Sequence, residues 1–582
     1  MAFKAIRNVL ALLSVAAVCD AANEVKVNSY TFDGSTLSGS MTVRNLAYNK
    51  VVSVIYANNA QTWGNTCRAS YTSGPDSSNN EVWSFKCPIG SQGIKQFYAE
   101  YKVNGQTYYD SNGGYGSNYQ VDSKTVPPPT TEPLSPGFQA DVSSFLKDAV
   151  PTAKTLMLSN ISPKSIAGAA AGSIIAATTP RYVYHWTRDS GLVMDVVNMM
   201  YKAGDASFEK TFWDHAAFNK KLQGLSPQGG LGEPKFYVDG RVFNDPWCRP
   251  QNDGPPLRAS SFMRFAKQFL ATGGDVKRVV DLYNGTSSGL IKTDMEYVMK
   301  MENDGNGCDL WEEQRGSHFL TVAVQRRALH EASDFAKSLG DAAGATKYAD
   351  AARKFDSKLS GFWNNDKQVI QTTVNARLLD AAIPLGAVHG DNGDGVFAPE
   401  DERVLKSIYE LENGFINEYT LNQNTRSDAS GRPLSVAIGR YYGDTYDGEN
   451  NSRGNPWYLC TLIVGETAFR AATAFTKAGS VTVTGLNKAL FNGPTPAGLG
   501  LNVATGTYKK GSKEFTSIIE GLKAYGDIHI RRVKQHASSG NHLSEQFNRD
   551  SGKPQGVEDL TWSYGALLTT NFAREELKAV SA

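Results

Sequence analysis

Tyr182-Val183-Tyr184-His185-Trp186-Thr187-Arg188-Asp189-Ser190-Gly191 runs directly into Leu192-Val193-Met194-Asp195-Val196-Val197-Asn198-Met199-Met200-Tyr201. Over 188–201 the apolar residues Leu192, Val193, Val196 and Met199/Met200 recur at helical spacing, and Gly204 stops the run. The same pattern returns at 260–270, 317–339, 347–362 and 457–478, with glycine or turn residues between. Many helices of this length with few strand signals indicate an all-α domain over residues 138–582. Periodicity alone leaves a bundle and a toroid both open.

Upstream the period changes to two. Val25-Lys26-Val27, Met41-Thr42-Val43, Val52-Ser53-Val54 and Ile94-Lys95-Gln96-Phe97 alternate apolar and polar residues. Asp33-Gly34, Asn104-Gly105 and Asn112-Gly113-Gly114 punctuate them as turns. Residues 23–122 therefore read as an all-β, immunoglobulin-like sandwich. Residues 123–137, with Val126-Pro127-Pro128-Pro129-Thr130-Thr131-Glu132-Pro133, read as a semi-rigid Pro/Thr-rich linker. Lys4 and Arg7, the apolar run from Val9 to Val18 and the small Ala21 make residues 1–22 a secretory signal, too short to span a bilayer.

The chain has 582 residues, enough for more than one domain, and a net charge of +1. That charge gives no field for nucleic acid or an anionic membrane, and neither is expected as a partner. Secretion permits disulfides. Cys19 leaves with the signal, and Cys67 and Cys87 are expected to bridge neighbouring strands of the β domain. Of Cys248, Cys308 and Cys460 at least one is unpaired within the helical domain. No Cys/His spacing suits zinc, and no metal or cofactor is expected. Asn160, Asn284 and Asn450 begin N-glycosylation sequons.

Two carboxylate segments carry the chemistry. Asp309-Leu310-Trp311-Glu312-Glu313 follows the turn Asn303-Asp304-Gly305-Asn306-Gly307. Leu543-Ser544-Glu545-Gln546-Phe547 precedes Asp559-Leu560-Thr561-Trp562-Ser563-Tyr564. Glycoside hydrolysis needs one carboxyl to protonate the leaving oxygen, a second carboxylate on the other face of the sugar, and aromatic walls. An isolated Glu-Glu beside Trp is more often a solvated helix surface, so its weight comes from the neighbouring motifs.

The segment 182–191 resembles the substrate-binding signature of glycoside hydrolase family 15, the glucoamylases. Pro246-Trp247-Cys248-Arg249-Pro250-Gln251-Asn252-Asp253-Gly254-Pro255 resembles a second family segment. The Glu312-Glu313 segment is a third, Gly439-Arg440-Tyr441 with Gly454-Asn455-Pro456-Trp457 a fourth, and 545–564 a fifth, all in family order. The N-terminal part resembles a starch-binding module of carbohydrate-binding module family 21, an arrangement similar to fungal members of the Rhizopus and Mucor type. The resemblance implies an (α/α)6 barrel and an inverting, exo-acting hydrolase of starch and maltooligosaccharides, with glycogen as a further candidate. It implies a secreted monomer that releases β-glucose.

It also implies roles. Glu312 is the general acid and Glu545 the general base, held roughly 6.5–9.5 Å apart for an intervening water. Glu312 is expected to have its pKa raised by Trp311, Trp247 and Glu313, and Glu545 to stay ionised. Tyr182, Trp186, Arg188, Asp189, Trp247, Trp311, Glu313, Arg440 and Trp457 bind substrate, with Arg188 and Asp189 clamping the terminal glucose and Glu313 binding hydroxyls of the sugar on the leaving side. Trp562 is a weaker candidate, read as packing. Family members often carry Ser where this chain has Gly556, near the base. In the β domain, Trp63, Tyr98 and Tyr109 resemble one glucan-stacking site, and Tyr48 and Tyr71, with Trp83 nearby, a second. That second site has Asn80 where relatives offer another aromatic. Tyr101 and Tyr108 are assigned to packing.

Overall fold

The computed structural model describes residues 24–32, 36–58, 61–89, 93–112, 118–121, 136–202, 204–285 and 289–581. The signal segment lies outside them, as does most of the expected linker. The chain divides into two units, Met1–Thr130 and Thr131–Ala582.

The first unit is two antiparallel sheets. One has the order β1 (Val25–Phe32), β2 (Thr36–Arg44), β6 (Asn80–Pro88), β5 (Ser70–Ser73). The other runs β4 (Asn65–Arg68), β3 (Lys50–Ala57), β7 (Gln96–Val103), β8 (Gln106–Asp110), with β9 (Tyr119–Gln120) paired to β7. Asn104 and Gly105, both at positive φ, join β7 to β8 with Val103 opposite Gln106, the two-residue turn that matches strand twist. Period-two alternation sends Phe97, Ala99 and Tyr101 into the core and leaves Tyr98 on the outer face. Cys67 and Cys87 form a disulfide. It joins β4 of one sheet to β6 of the other, not neighbouring strands as the sequence reading expected; the two sheets close here to a Cα–Cα distance of 5.5 Å, within disulfide reach.

Among the described residues, the second unit is built on twelve helices in two layers, with shorter helices between them. The twelve are α1 (Pro136–Ser159), α2 (Thr187–Met200), α3 (Ala206–Gln223), α4 (Gly254–Ala271), α5 (Leu290–Lys300) and α6 (Phe319–Ser338). There follow α7 (Ala342–Ser360), α8 (Ala382–His389), α9 (Glu402–Glu418), α10 (Tyr458–Ala478), α11 (Lys513–His536) and α12 (Thr561–Ser581). The helical domain thus begins at Pro136, inside the stretch read as linker. The even-numbered helices close a ring, α2 on α4, α4 on α6, α6 on α8, α8 on α10, α10 on α12 and α12 back on α2. The odd-numbered helices pack outside them, α7 on α6 and α11 on α10 most extensively. This alternation resolves the bundle-or-toroid question in favour of an (α/α)6 barrel. Inner helices are apolar nearly all round because both faces are covered; α10 is buried at almost every position. Gly191 lets α2 approach α4, since a Cβ there would lie 2.9 Å from the Arg258 nitrogen.

The inner helices run parallel in sequence logic: each motif segment leads into an inner-helix N-terminus. Trp186 caps α2, Asp253 α4, His318 α6 and Trp457 α10. Unpaired N–H groups and the positive helix ends therefore gather where the carboxylates stand.

Candidate active site

Glu312 sits at φ 67°, in the left-handed region, a strained setting for a non-glycine residue. The loop is held by Asp309, whose Oδ1 accepts from the Glu313 and Gln314 N–H groups at 2.8 and 3.0 Å. Its ends are zipped by the pairing of Gly307–Cys308 with Arg315–Gly316. Cys248 and Cys308 form a second disulfide, tying this loop to the Trp247–Asp253 segment. Cys460 is the free, buried thiol. As a result Gln251 donates to Glu312 Oε1 at 3.1 Å, Trp186 donates to the same oxygen at 2.8 Å, and Arg188 stands 3.7 Å away. Both donors address Oε1.

Glu545 begins the hairpin of Gln546–Phe547 with Pro554–Gln555. Tyr182 donates to its Oε1 at 2.6 Å and Gln546 to its Oε2 at 3.0 Å. The returning strand brings Gly556, at φ +75°, so close that a Cβ would lie 2.9 Å from Oε2. A side chain at this position would crowd that oxygen. Burial pushes Glu545 up to about 7, against the hydrogen bond from Tyr182 and the charge of Arg440. This corrects the expectation of a readily ionised base: the strong desolvation falls on Glu545, which is 2 % exposed.

Every catalytic and substrate-binding candidate lines one cavity of about 740 Å³: Tyr182, Trp186, Arg188, Asp189, Trp247, Trp311, Glu312, Glu313, Arg440, Trp457 and Glu545. Trp562 lines it as well, 5.9 Å from the Arg188 guanidinium, while also belonging to the buried core. Arg188 and Asp189 form an ion pair at 3.4 Å, and Arg188 also reaches Asp253 at 3.3 Å. Burial pushes Asp189 up to about 6 against the attraction of Arg188. Asp189 Oδ2 and Trp457 Nε1 are buried without a hydrogen-bond partner, so the site holds unmet polar valence beside apolar walls.

Sequence reading missed several residues of this site. Tyr446 hydrogen-bonds Tyr182 at 2.7 Å. Lys235 points its ammonium at the faces of Trp247 (3.2 Å), Phe243 (4.3 Å), Tyr184 (4.5 Å) and Trp186 (4.6 Å). Burial lowers it to about 8, against the attraction of Glu312. Its only sequence signal is a lysine within Glu233-Pro234-Lys235-Phe236-Tyr237.

In the β unit, Trp63, Tyr98 and Tyr109 form one aromatic surface, with ring centroids 5.4 and 5.8 Å apart. Tyr71 and Trp83 pair edge-to-face at 6.1 Å on the other sheet. Tyr48 is 97 % exposed and makes no ring contact among the described residues. Tyr101 is buried and donates to the Arg44 carbonyl at 2.8 Å. The sequons also separate. Asn160 is buried and its amide nitrogen, the atom a glycan would occupy, donates to Thr561 at 2.8 Å, which contradicts its reading as an accessible acceptor. Asn284 and Asn450 are exposed.

Residues 151–572 match the family described as Glycosyl hydrolases family 15, and residues 20–122 match the Carbohydrate/starch-binding module (family 21). Glucoamylase 1 of Rhizopus oryzae is 35% identical over 99% of this chain and 98% of its own length. The glucoamylase of Blastobotrys adeninivorans is 34% identical over 95% of this chain and 93% of its own. Among solved structures, the Saccharomycopsis fibuligera glucoamylase superposes with a TM-score of 0.69 at 30% identity, covering 76% of this chain and 97% of that one.

Proposed function

We propose, for a chain that belongs to the glycosyl hydrolases of family 15 and opens with a family 21 starch-binding module, the activity of a secreted, exo-acting glucoamylase. It removes glucose from the non-reducing ends of starch and maltooligosaccharides, cutting α-1,4 bonds and, more slowly, α-1,6 bonds. Glycogen is a further substrate. It works by inversion and releases β-glucose.

The observation that carries the reading is that Glu312 and Glu545 line one cavity with Arg188 and Asp189. A clamp for the hydroxyls of a terminal sugar, placed beside both carboxylates, favours attack at a chain end. Asp189 Oδ2, ion-paired with Arg188 but accepting no hydrogen bond, and Trp457 Nε1, without a hydrogen-bond partner, suit hydroxyl donors and acceptors. Because Trp186 and Gln251 both donate to Glu312 Oε1, Oε2 is the oxygen that carries the proton to the leaving group. Glu545, at the wall of the same cavity, receives the proton of the attacking water. Ionising Glu545 makes it a base, and the donors Tyr182 and Gln546 hold the charge in place.

The test is the anomer of glucose released from maltooligosaccharide, read by NMR in the first minutes. β-Glucose as the sole early product is expected. α-Glucose overturns inversion and the base role of Glu545, and longer oligosaccharide products overturn exo action.

A further inference from the structure

Outside the cavity wall stands a guanidinium that the mechanism does not use. Residues 372–378 form a tight turn, with Thr373 N–H to the Arg377 carbonyl at 3.0 Å and Thr372 N–H to that of Leu378 at 3.0 Å. Asn375, at φ 59°, closes it. A bridge between His318 and Thr373 fixes this turn to the start of α6, just past the Glu312 loop. The turn aims Arg377 into a group of carboxylates. Its Nη1 lies 3.2 Å from Asp309 and 3.0 Å from Asp380, and its Nη2 lies 3.6 Å from Glu313 Oε2. Its face covers the Tyr441 ring at 3.6 Å, and the Tyr441 hydroxyl donates to the same Glu313 oxygen. Arg440 holds the other oxygen, Oε1, at 2.7 Å, while also paired with Asp444.

Two arginines thus face four carboxylates: Asp309, Asp380, Asp444 and Glu313. Arg440 is committed to Asp444, so Arg377 is the cation that offsets Asp309 and Asp380 beside Glu313. Without it, Glu313 stands next to uncompensated negative charge with one fewer anchor. Glu313 lines the cavity and Arg377 does not, so any effect on substrate passes through Glu313.

We propose that Arg377 is a positioning residue for Glu313 and thereby sets how tightly the enzyme holds the sugar on the leaving side. The inference rests on the reading that Glu313 binds that sugar. A planar fork is needed, because one edge serves the two aspartates while the other serves Glu313; a lysine ammonium meets only part of this set.

The test compares maltose with α-glucosyl fluoride, whose leaving group is no sugar, in R377Q, R377K, E313Q and the R377Q/E313Q double variant. R377Q should lower kcat/KM on maltose by about 10- to 100-fold, the worth of a charge-assisted contact. On α-glucosyl fluoride it should stay within about twofold, since that substrate presents nothing for Glu313 to bind. R377K should fall between wild type and R377Q, and it carries the same comparison if R377Q does not fold. In the E313Q background R377Q should add no further loss on maltose. Equal losses on both substrates, or an undiminished effect in E313Q, would overturn the proposal and leave Arg377 as a general brace of the loop. E313Q with normal maltose kinetics would instead overturn the reading of Glu313, and the inference with it.

Discussion

The hydroxyl of Tyr182 donates a 2.6 Å hydrogen bond to Oε1 of Glu545. It stabilises the ionised carboxylate against a burial that pushes the group up to about 7. Tyr182→Phe removes this donor and keeps the ring that lines the cavity. The acidic limb of kcat/KM should move to higher pH, because more alkaline solution is then needed to ionise the base. A pH–rate profile on maltose checks it; an unmoved limb would free Tyr182 from this role.

Glu312→Gln retains the acceptor that Trp186 and Gln251 address but cannot give a proton. Turnover of maltose should drop by at least roughly 10²–10⁴-fold, the usual worth of general acid catalysis, with little change in melting temperature. Near-normal turnover would remove Glu312 as the acid.

Glu545 also bears on stability. Its pKa rises on folding from an ordinary 4.5 to about 7, so the native state holds the proton more tightly than the unfolded chain. That contribution is full below about pH 4.5 and is lost as pH rises to about 7, up to ~3 kcal/mol. Glu545→Gln does not titrate. Relative to wild type it should gain stability between pH 4 and pH 8 while losing hydrolysis. Urea melts at the two pH values measure the difference, and a constant offset would contradict it.

Trp63 is 40 % exposed beside Tyr98 and Tyr109. Trp63→Ala should weaken adsorption to granular starch by about tenfold, the scale of one stacked aromatic, and slow granule digestion while sparing maltose. Pull-down with starch granules, run beside a maltose assay, decides; equal loss on both substrates points to damaged folding.

For protein secreted from a eukaryotic host, peptide mass spectrometry should find glycan at Asn450 and none at Asn160. The buried Asn160 amide is bonded to Thr561, whereas Asn450 is exposed. Occupied Asn160 would mean that the Asn160–Thr561 contact does not form.

Helices at 188–201 and 457–478 were legible because a 3.6-residue period is a local property. They match α2 and α10 to within a residue or two. The outer helices α9 and α11 were not named from sequence. On α9 one stripe faces the ring and charged residues such as those at 402–410 interrupt the pattern, while on α11 residues 525–533 are all buried and include Asp527, His529, Arg531 and Arg532, which break the apolar run. Trp562 both packs into the core and lines the cavity; a helix-embedded tryptophan has the same sequence signature whether it faces a core or a cavity.

By itself the sequence determined the two domain classes and the order of the five motif segments, because these depend on residue type and short-range spacing. Only the tertiary structure decided which donor meets which oxygen. Tyr182 and Glu545 are 363 positions apart, Trp186 and Glu312 126, and Arg188 and Gln251 63. Such pairs form because the ring of inner helices closes and brings their N-terminal ends together. The same closure desolvates Glu545, cages Lys235 among four rings and sets Arg377 beside Glu313. Burial and charge pairing belong to the assembled barrel, and no window of the chain contains them.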